Sequence, residues 1–304
     1  MALACGSGAA AMSGLMYWPL LRGRQFDLLA LQLLTQENLL TDRIVPIIEP
    51  IRDAAVLPRL LKLRNRAGLP TVVIQNPSVG TYGLDNQKRY PLTAALADPQ
   101  ILQGWWWRPE LAVPPNQVLL LDDPQLLPPA AIIQQARYLV VPSDPRILHA
   151  VQHPRRIFLH DPWPRVLRTQ EFGQYADTPM LAEQHWAAAH GFVGISDYSL
   201  SGAPYFDKGW AQGTIALHIA YFRDGGVWLH HFLPPAASGP QAVQFQRLQA
   251  ELRRWLASHR HSILWDAPLR ELLHYGDIDH YPGLGVIKKL SVAHQILSVQ
   301  HTLS

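Results

Sequence analysis

Thr71-Val-Val-Ile-Gln-Asn-Pro77 is the stretch on which the fold turns. Four β-branched residues run together and then stop at a side-chain amide followed by proline. A near-continuous run of this kind fits a strand buried on both faces of a parallel sheet. Proline has no N–H to extend a ladder, and it holds the residue before it in the extended region. The pattern recurs. Residues 44–48 precede Glu49-Pro50, residues 118–121 precede Asp123-Pro124, residues 138–141 precede Asp144-Pro145, and residues 156–159 precede Asp161-Pro162. Asp or Asn before proline is also how an N-cap with a first-turn proline reads. Residues 17–21, 192–195 and 214–219 are further strand candidates.

Helical patterns fill the gaps, over residues 24–35, 54–66, 130–137 and 145–151. Thr178-Pro179 reads as the start of a helix running to His190 and closing on Gly191. Phe245, Leu248, Leu252, Trp255 and Leu256 mark one stripe of an amphipathic helix, and residues 283–297 read as another. Eight strands in βα alternation predict a (β/α)8, TIM-barrel-like fold. The alternative is an open doubly wound sheet, weakened in its dinucleotide-binding form because no Gly-x-Gly-x-x-Gly follows the first strand. Residues 214–232 also read as a hairpin turning at Arg223-Asp-Gly-Gly226, which leaves the eighth strand ambiguous. Residues 77–117, with Trp105-Trp106-Trp107, read as a long loop with a short helix. One domain over residues 16–304 is expected.

The 304 residues are 48% apolar and 16% charged, enough for a sizeable core and too little charge for a disordered chain. No apolar run is long enough for a spanning helix. One cysteine, Cys5, excludes a disulfide scaffold. Residues 1–15 are small and apolar and read as a disordered extension or a start-site artefact. Four residues before Cys5 are too few for a lipoprotein signal, so the chain reads as cytoplasmic. Twenty-six basic residues against 23 acidic leave +3, thin for a nucleic-acid binder, although arginine dominates the basic set.

In a parallel barrel, groups at the carboxyl ends of the strands converge on one mouth. Those positions hold Arg22, Arg24, Glu49, Asn76, Asp122, Asp123, Ser143, Asp144, His160, Asp161, Asp197 and Tyr198, with His218 added if residues 214–219 supply the eighth strand. Carboxylates and an imidazole suit acid/base chemistry or hydrolysis assisted by a divalent metal. Glu49, Asp122, His160 and Asp197 are the catalytic candidates. Arg22, Arg24, Asn76, Asp161 and Tyr198 are the substrate-binding candidates, the two arginines flanking Gly23 for an anionic group. Each has a plainer reading. Asp123, Asp144 and Asp161 can be caps, Asn76 a turn residue, His160 a core histidine, and Glu49 a structural partner of Arg22. His230 and His231 are adjacent, so in a strand they face opposite sides.

The opening from Tyr17-Trp-Pro-Leu-Leu-Arg-Gly-Arg-Gln-Phe-Asp to Leu31 resembles that of the beta protein family of phages and bacteria. Pro46-Ile-Ile-Glu-Pro50, Asn76-Pro77 and the segments 194–198, 215–221 and 283–291 are similar to its later signatures. The resemblance covers most of the chain from Met16 onward; the extension before Met16 departs from it. It implies little chemistry. Some relatives resemble components of mobile-element or phage-defence clusters, which implies a protein partner from a neighbouring gene. Two functions therefore stand as expectations: a hydrolase or phosphoester-processing enzyme at the barrel mouth, and a non-catalytic adaptor anchored by Trp105–107.

Overall fold

The computed structural model describes residues 14–84, 87–166, 168–206, 213–235 and 239–304. Apart from residues 14 and 15, the extension expected before Met16 lies outside them. Leu15 is buried in the core, so packing already begins ahead of Met16.

The main sheet has nine parallel strands. They are β1 Met16–Tyr17, β2 Leu20–Leu21, β3 Ile47–Ile48, β4 Thr71–Ile74, β5 Ile101–Trp106, β6 Val118–Leu120, β7 Tyr138–Pro142, β8 Arg156–Leu159 and, after β9 Asp177–Leu181 of another sheet, β10 Phe192–Ser196. The order is β1-β10-β8-β7-β6-β5-β4-β3-β2. The sheet curls until its two edge strands are consecutive pieces of one segment, split at Pro19, which has no N–H. From this segment Trp18 N donates to Ile195 O (2.7 Å) and Leu20 N to Asp197 O (2.8 Å). On the other side Ile47 N donates to Pro19 O and Glu49 N to Leu21 O, both 2.9 Å. The architecture is thus a curled parallel sheet with helices. It departs from the regular closed barrel expected, with strands as short as two residues where Pro19 and Pro46 interrupt. The parallel order that follows the chain also departs from the doubly wound alternative.

Three segments correct the sequence reading. Residues 101–106, expected as loop, form β5. Gln103 and Gly104 break the apolar run, and Gly104 is needed because a Cβ there would lie 2.8 Å from Val72 Cγ1. Residues 214–219 do not join the main sheet. β11 Leu217–Arg223 and β12 Gly226–Phe232 form an antiparallel hairpin, with β9 beside β12. Its turn places Asp224 at φ 51° and Gly225 at φ 75°, the positive pair that a tight hairpin turn requires. Residues 178–181, expected as helix, are strand β9; Pro179 is accommodated because β9 is an edge strand.

Helices α1 Gln25–Gln36, α2 Val56–Arg66, α3 Thr93–Leu96, α4 Ala130–Gln135, α5 Pro145–Ala150 and α6 Gln184–Ala189 follow strands of the chain. Then come α7 Gln241–Ser258, α8 Ala267–Asp277 and α9 Leu284–Leu303. Phe245, Leu248, Leu252 and Leu256 of α7 share a buried cluster with Leu217, Ile219 and Tyr221 of β11. Helix α9 is buried on nearly every side from Leu290 to Val299, because α1 covers it from one direction and β11 from another. It is the element that joins the two sheets. Among the described residues no helix is long and apolar enough to cross a membrane.

Candidate functional site

The pleat sorts the strand-end residues. Trp18, Leu20, Val45, Ile47, Val72, Ile74, Val118, Leu120, Ile157 and Leu159 form the cluster inside the curl. Tyr17, Leu21, Ile48, Val73, Leu119 and Phe158 pack in the cluster on the helix side. Side chains alternate with period two. One step beyond the inner set therefore come Arg22, Glu49, Asn76, Asp122 and Asp161, and Tyr198 belongs to the inner cluster itself. His160 and Asp197 have the opposite parity.

Glu49 is completely buried. Its Oε2 accepts from Arg22 Nη1, and its Oε1 accepts from Ser78 N (2.7 Å), Ser78 Oγ (2.8 Å) and Trp106 Nε1 (3.1 Å). Both oxygens are engaged, as a buried carboxylate requires. Gly23 makes the turn after Arg22 possible: its φ is 44°, and a Cβ would lie 2.7 Å from Glu49 O. Arg22 Nη2 donates to Ala203 O (2.7 Å), and Ala203 N donates to Asp161 Oδ2 (3.0 Å). The loop after β10 is thus tied down across the carboxyl ends of the strands. The Arg22 guanidinium also sits 5.2 Å from the Tyr198 ring centre. Burial pushes the Tyr198 phenol up; Arg22 opposes this, while Asp161, Glu49 and Asp122 add to it. Arg22, Glu49, Asp161, Asp122 and Tyr198 therefore do gather at one rim.

His160 and Asp197 do not join that cluster. His160 stacks on Phe158, with Nδ1 3.3 Å from Glu183 Oε2. Asp197 Oδ1 accepts from Tyr17 OH (2.8 Å) and Ser199 N (2.7 Å), beneath Gln295 of α9. Burial raises its carboxyl to about 6, against the Tyr17 and Ser199 hydrogen bonds, with a smaller upward push from Asp161. Asn76 continues the ladder, donating to Trp106 O (2.8 Å) and accepting from Trp106 N (2.9 Å). Asp122 is exposed and held in a two-pronged pair by Arg108 (2.8 Å each). Asp144 caps α5 through Arg146 N (2.8 Å), and Asp123 makes a turn to Gln125 N. Trp106 and Trp107 are buried and Trp105 is half-buried.

A cavity of about 440 Å³ opens beside this rim, between the loops after β2, β8 and β10, strand β11 and the start of α9. Arg24, Arg165, Arg168 and Lys288 line it, and no described lining residue is a carboxylate. Trp163, Phe172, Leu200, Ile215 and Ile287 supply apolar walls. Lys288 Nζ bonds Ser201 Oγ (3.0 Å) and lies 2.8 Å from the buried Asp27. Arg24 reaches Phe206 O (3.3 Å) and lies over the Tyr205 ring. Of the substrate-binding candidates only Arg24 faces this space. Sequence reasoning passed over Arg165, Arg168 and Trp163, although Trp163-Pro-Arg165-Val-Leu-Arg168 right after a strand end is a readable basic and aromatic signal. Lys288 lies in the segment 283–297 that reads only as a helix.

Among the described residues no three His, Cys, Asp or Glu side chains come together as a metal site. Comparison with protein families, curated proteins and solved structures finds no match for this chain.

Proposed function

We propose that the chain binds a small anionic molecule with a planar or apolar body, a phosphate monoester being the best fit, and processes it as a phosphoester hydrolase. The observation that carries this is the cavity with four cationic side chains, aromatic walls and no described carboxylate. Three guanidinium groups, with the Lys288 ammonium that is shared with Asp27, favour a phosphate, and arginine can hold it two-pronged. The volume lies in the range of small-molecule sites. The strands of the curled sheet are all parallel, so their carboxyl ends lie on one side of it. The cavity then takes the usual place of a site, outside the carboxyl ends of the strands. Glu49, Arg22 and Asp161 serve as struts that fix the loop above them, and Arg24, Arg165, Arg168 and Lys288 hold the anion. No step here calls for a divalent metal.

The test is calorimetric titration with p-nitrophenyl phosphate, with p-nitrophenol as control. The ester binds, the phenol binds at least tenfold more weakly, and Arg165→Ala with Arg168→Ala lowers affinity at least tenfold. Absence of binding at millimolar ester, or affinity unchanged in the double variant, refutes the reading. The adaptor reading, with a partner from a neighbouring gene, draws on the family resemblance alone.

A further inference from the structure

One cavity-lining residue is joined to a second titratable group behind it. His218 of β11 faces His231 of β12 in register, and their Nδ1 atoms are 2.7 Å apart. His231 Nε2 is 2.7 Å from Thr178 Oγ1 of β9. The chain Thr178–His231–His218 thus crosses all three strands of the small sheet and ends in the cavity. Trp163 and Phe172 pack against both rings at 4.9 to 5.8 Å between centres. Two nitrogens at this distance share one proton, so both rings cannot be cationic. Burial holds His218 well below its ordinary value and His231 at about 4. Lys288 from α9 pushes His218 further down; His230 opposes a charge on His231, and Asp177 of β9 favours one.

We propose that His218 is a catalytic residue of the cavity, the group that takes and returns a proton through Nε2, with His231 and Thr178 fixing whether that nitrogen accepts or donates. This rests on the cavity reading above. While the shared proton resides on His218 Nδ1, Nε2 is bare and accepts. When a water oxygen bonds to phosphorus, its proton passes to Nε2 and the shared proton moves to His231. The positive charge then lies one ring further from Lys288 and nearer Asp177. The phosphorus–oxygen ester bond breaks, the proton returns from Nε2 to the departing oxygen, and the shared proton moves back. The products are inorganic phosphate and the free alcohol, with no other reactant. Neutral imidazole is the state that this exchange needs at pH 7.

Two measurements test it. The first follows p-nitrophenyl phosphate hydrolysis across pH, alongside calorimetric binding of the same ester. His218→Gln lowers kcat by about 100-fold or more with affinity within threefold. His231→Gln lowers it less and shifts the acid limb of the pH profile. The second needs no variant: imidazole ¹⁵N spectra of the intact protein show both rings neutral at pH 7, and the His218 Nε2 signal moves on adding the ester. Full hydrolysis by His218→Gln overturns the His218 assignment and leaves the cavity reading standing; binding by the wild type without hydrolysis overturns the assignment together with the hydrolase half of that reading and leaves anion binding standing. No binding by the wild type overturns both. A cationic His218 at pH 7 overturns the relay.

Discussion

Glu49→Gln is the most informative substitution in the molecule. Glutamine keeps an oxygen for Ser78 and Trp106, but its amide nitrogen then faces Arg22 Nη1, donor against donor. Arg22 is only 6% exposed, so water cannot replace the lost carboxylate. Breaking a buried pair by removing one member costs about 3–5 kcal/mol, because the other charge is left uncompensated. Arg22 retains Ala203 O and the Tyr198 face, which places the cost near the lower end, about 3 kcal/mol. At a urea slope of about 3 kcal/mol/M, the unfolding midpoint falls by about 1 M. Adding Arg22→Met removes the stranded cation and returns part of the loss, giving a coupling of about 1–3 kcal/mol in the double-mutant cycle. Urea titration followed by tryptophan fluorescence reads all four corners. A midpoint for Glu49→Gln within about 0.2 M of wild type would refute the strut assignment and return Glu49 to the list of free catalytic carboxylates.

Three further outcomes follow from the same contacts. The Asp197 carboxyl, raised to about 6 by burial, is protonated in the folded chain at a pH where the unfolded chain has released its proton. Its contribution to stability is therefore greatest at low pH and falls as pH rises from about 4 to 6, by up to about 3 kcal/mol. Asp197→Asn removes this part of the pH dependence, and urea midpoints measured from pH 4 to 7 for both proteins check it. Trp106→Phe replaces the indole by a smaller phenyl ring and removes a donor to the Glu49 carboxylate, the lost hydrogen bond alone costing about 1.5–3 kcal/mol in chemical denaturation. Gly23→Ala forces a Cβ against Glu49 O at positive φ and costs about 1–3 kcal/mol, read as a fall in Tm.

Much of the rim was open to reading by parity. Counting by twos from Leu20, Ile47, Ile74, Leu120 and Leu159 leads to Arg22, Glu49, Asn76, Asp122 and Asp161, and it excludes His160. The same count separates His230 from His231: the first pairs with Asp177, the second with His218. Treating every residue after a strand as facing the mouth blurred that distinction. The cavity was not legible in this way. Arg24, Arg165, His218 and Lys288 come from four segments spread over more than two hundred and sixty positions, and local pattern carries no distance between them.

The sequence by itself determined where strands stop, because a polar residue followed by proline ends a ladder by chemistry local to the chain. It determined the hairpin turn at Asp224-Gly225 and the stripe of α7 for the same local reason. Only the tertiary structure decided that residues 101–106 enter the main sheet, that residues 217–223 leave it, and that the carboxylate of Glu49 is spent on Arg22, Ser78 and Trp106. Those outcomes depend on which apolar surfaces meet. A strand of mixed polarity such as β5 is admitted when its neighbours leave a glycine-sized gap, and a buried charge takes whichever donors the packing brings within reach.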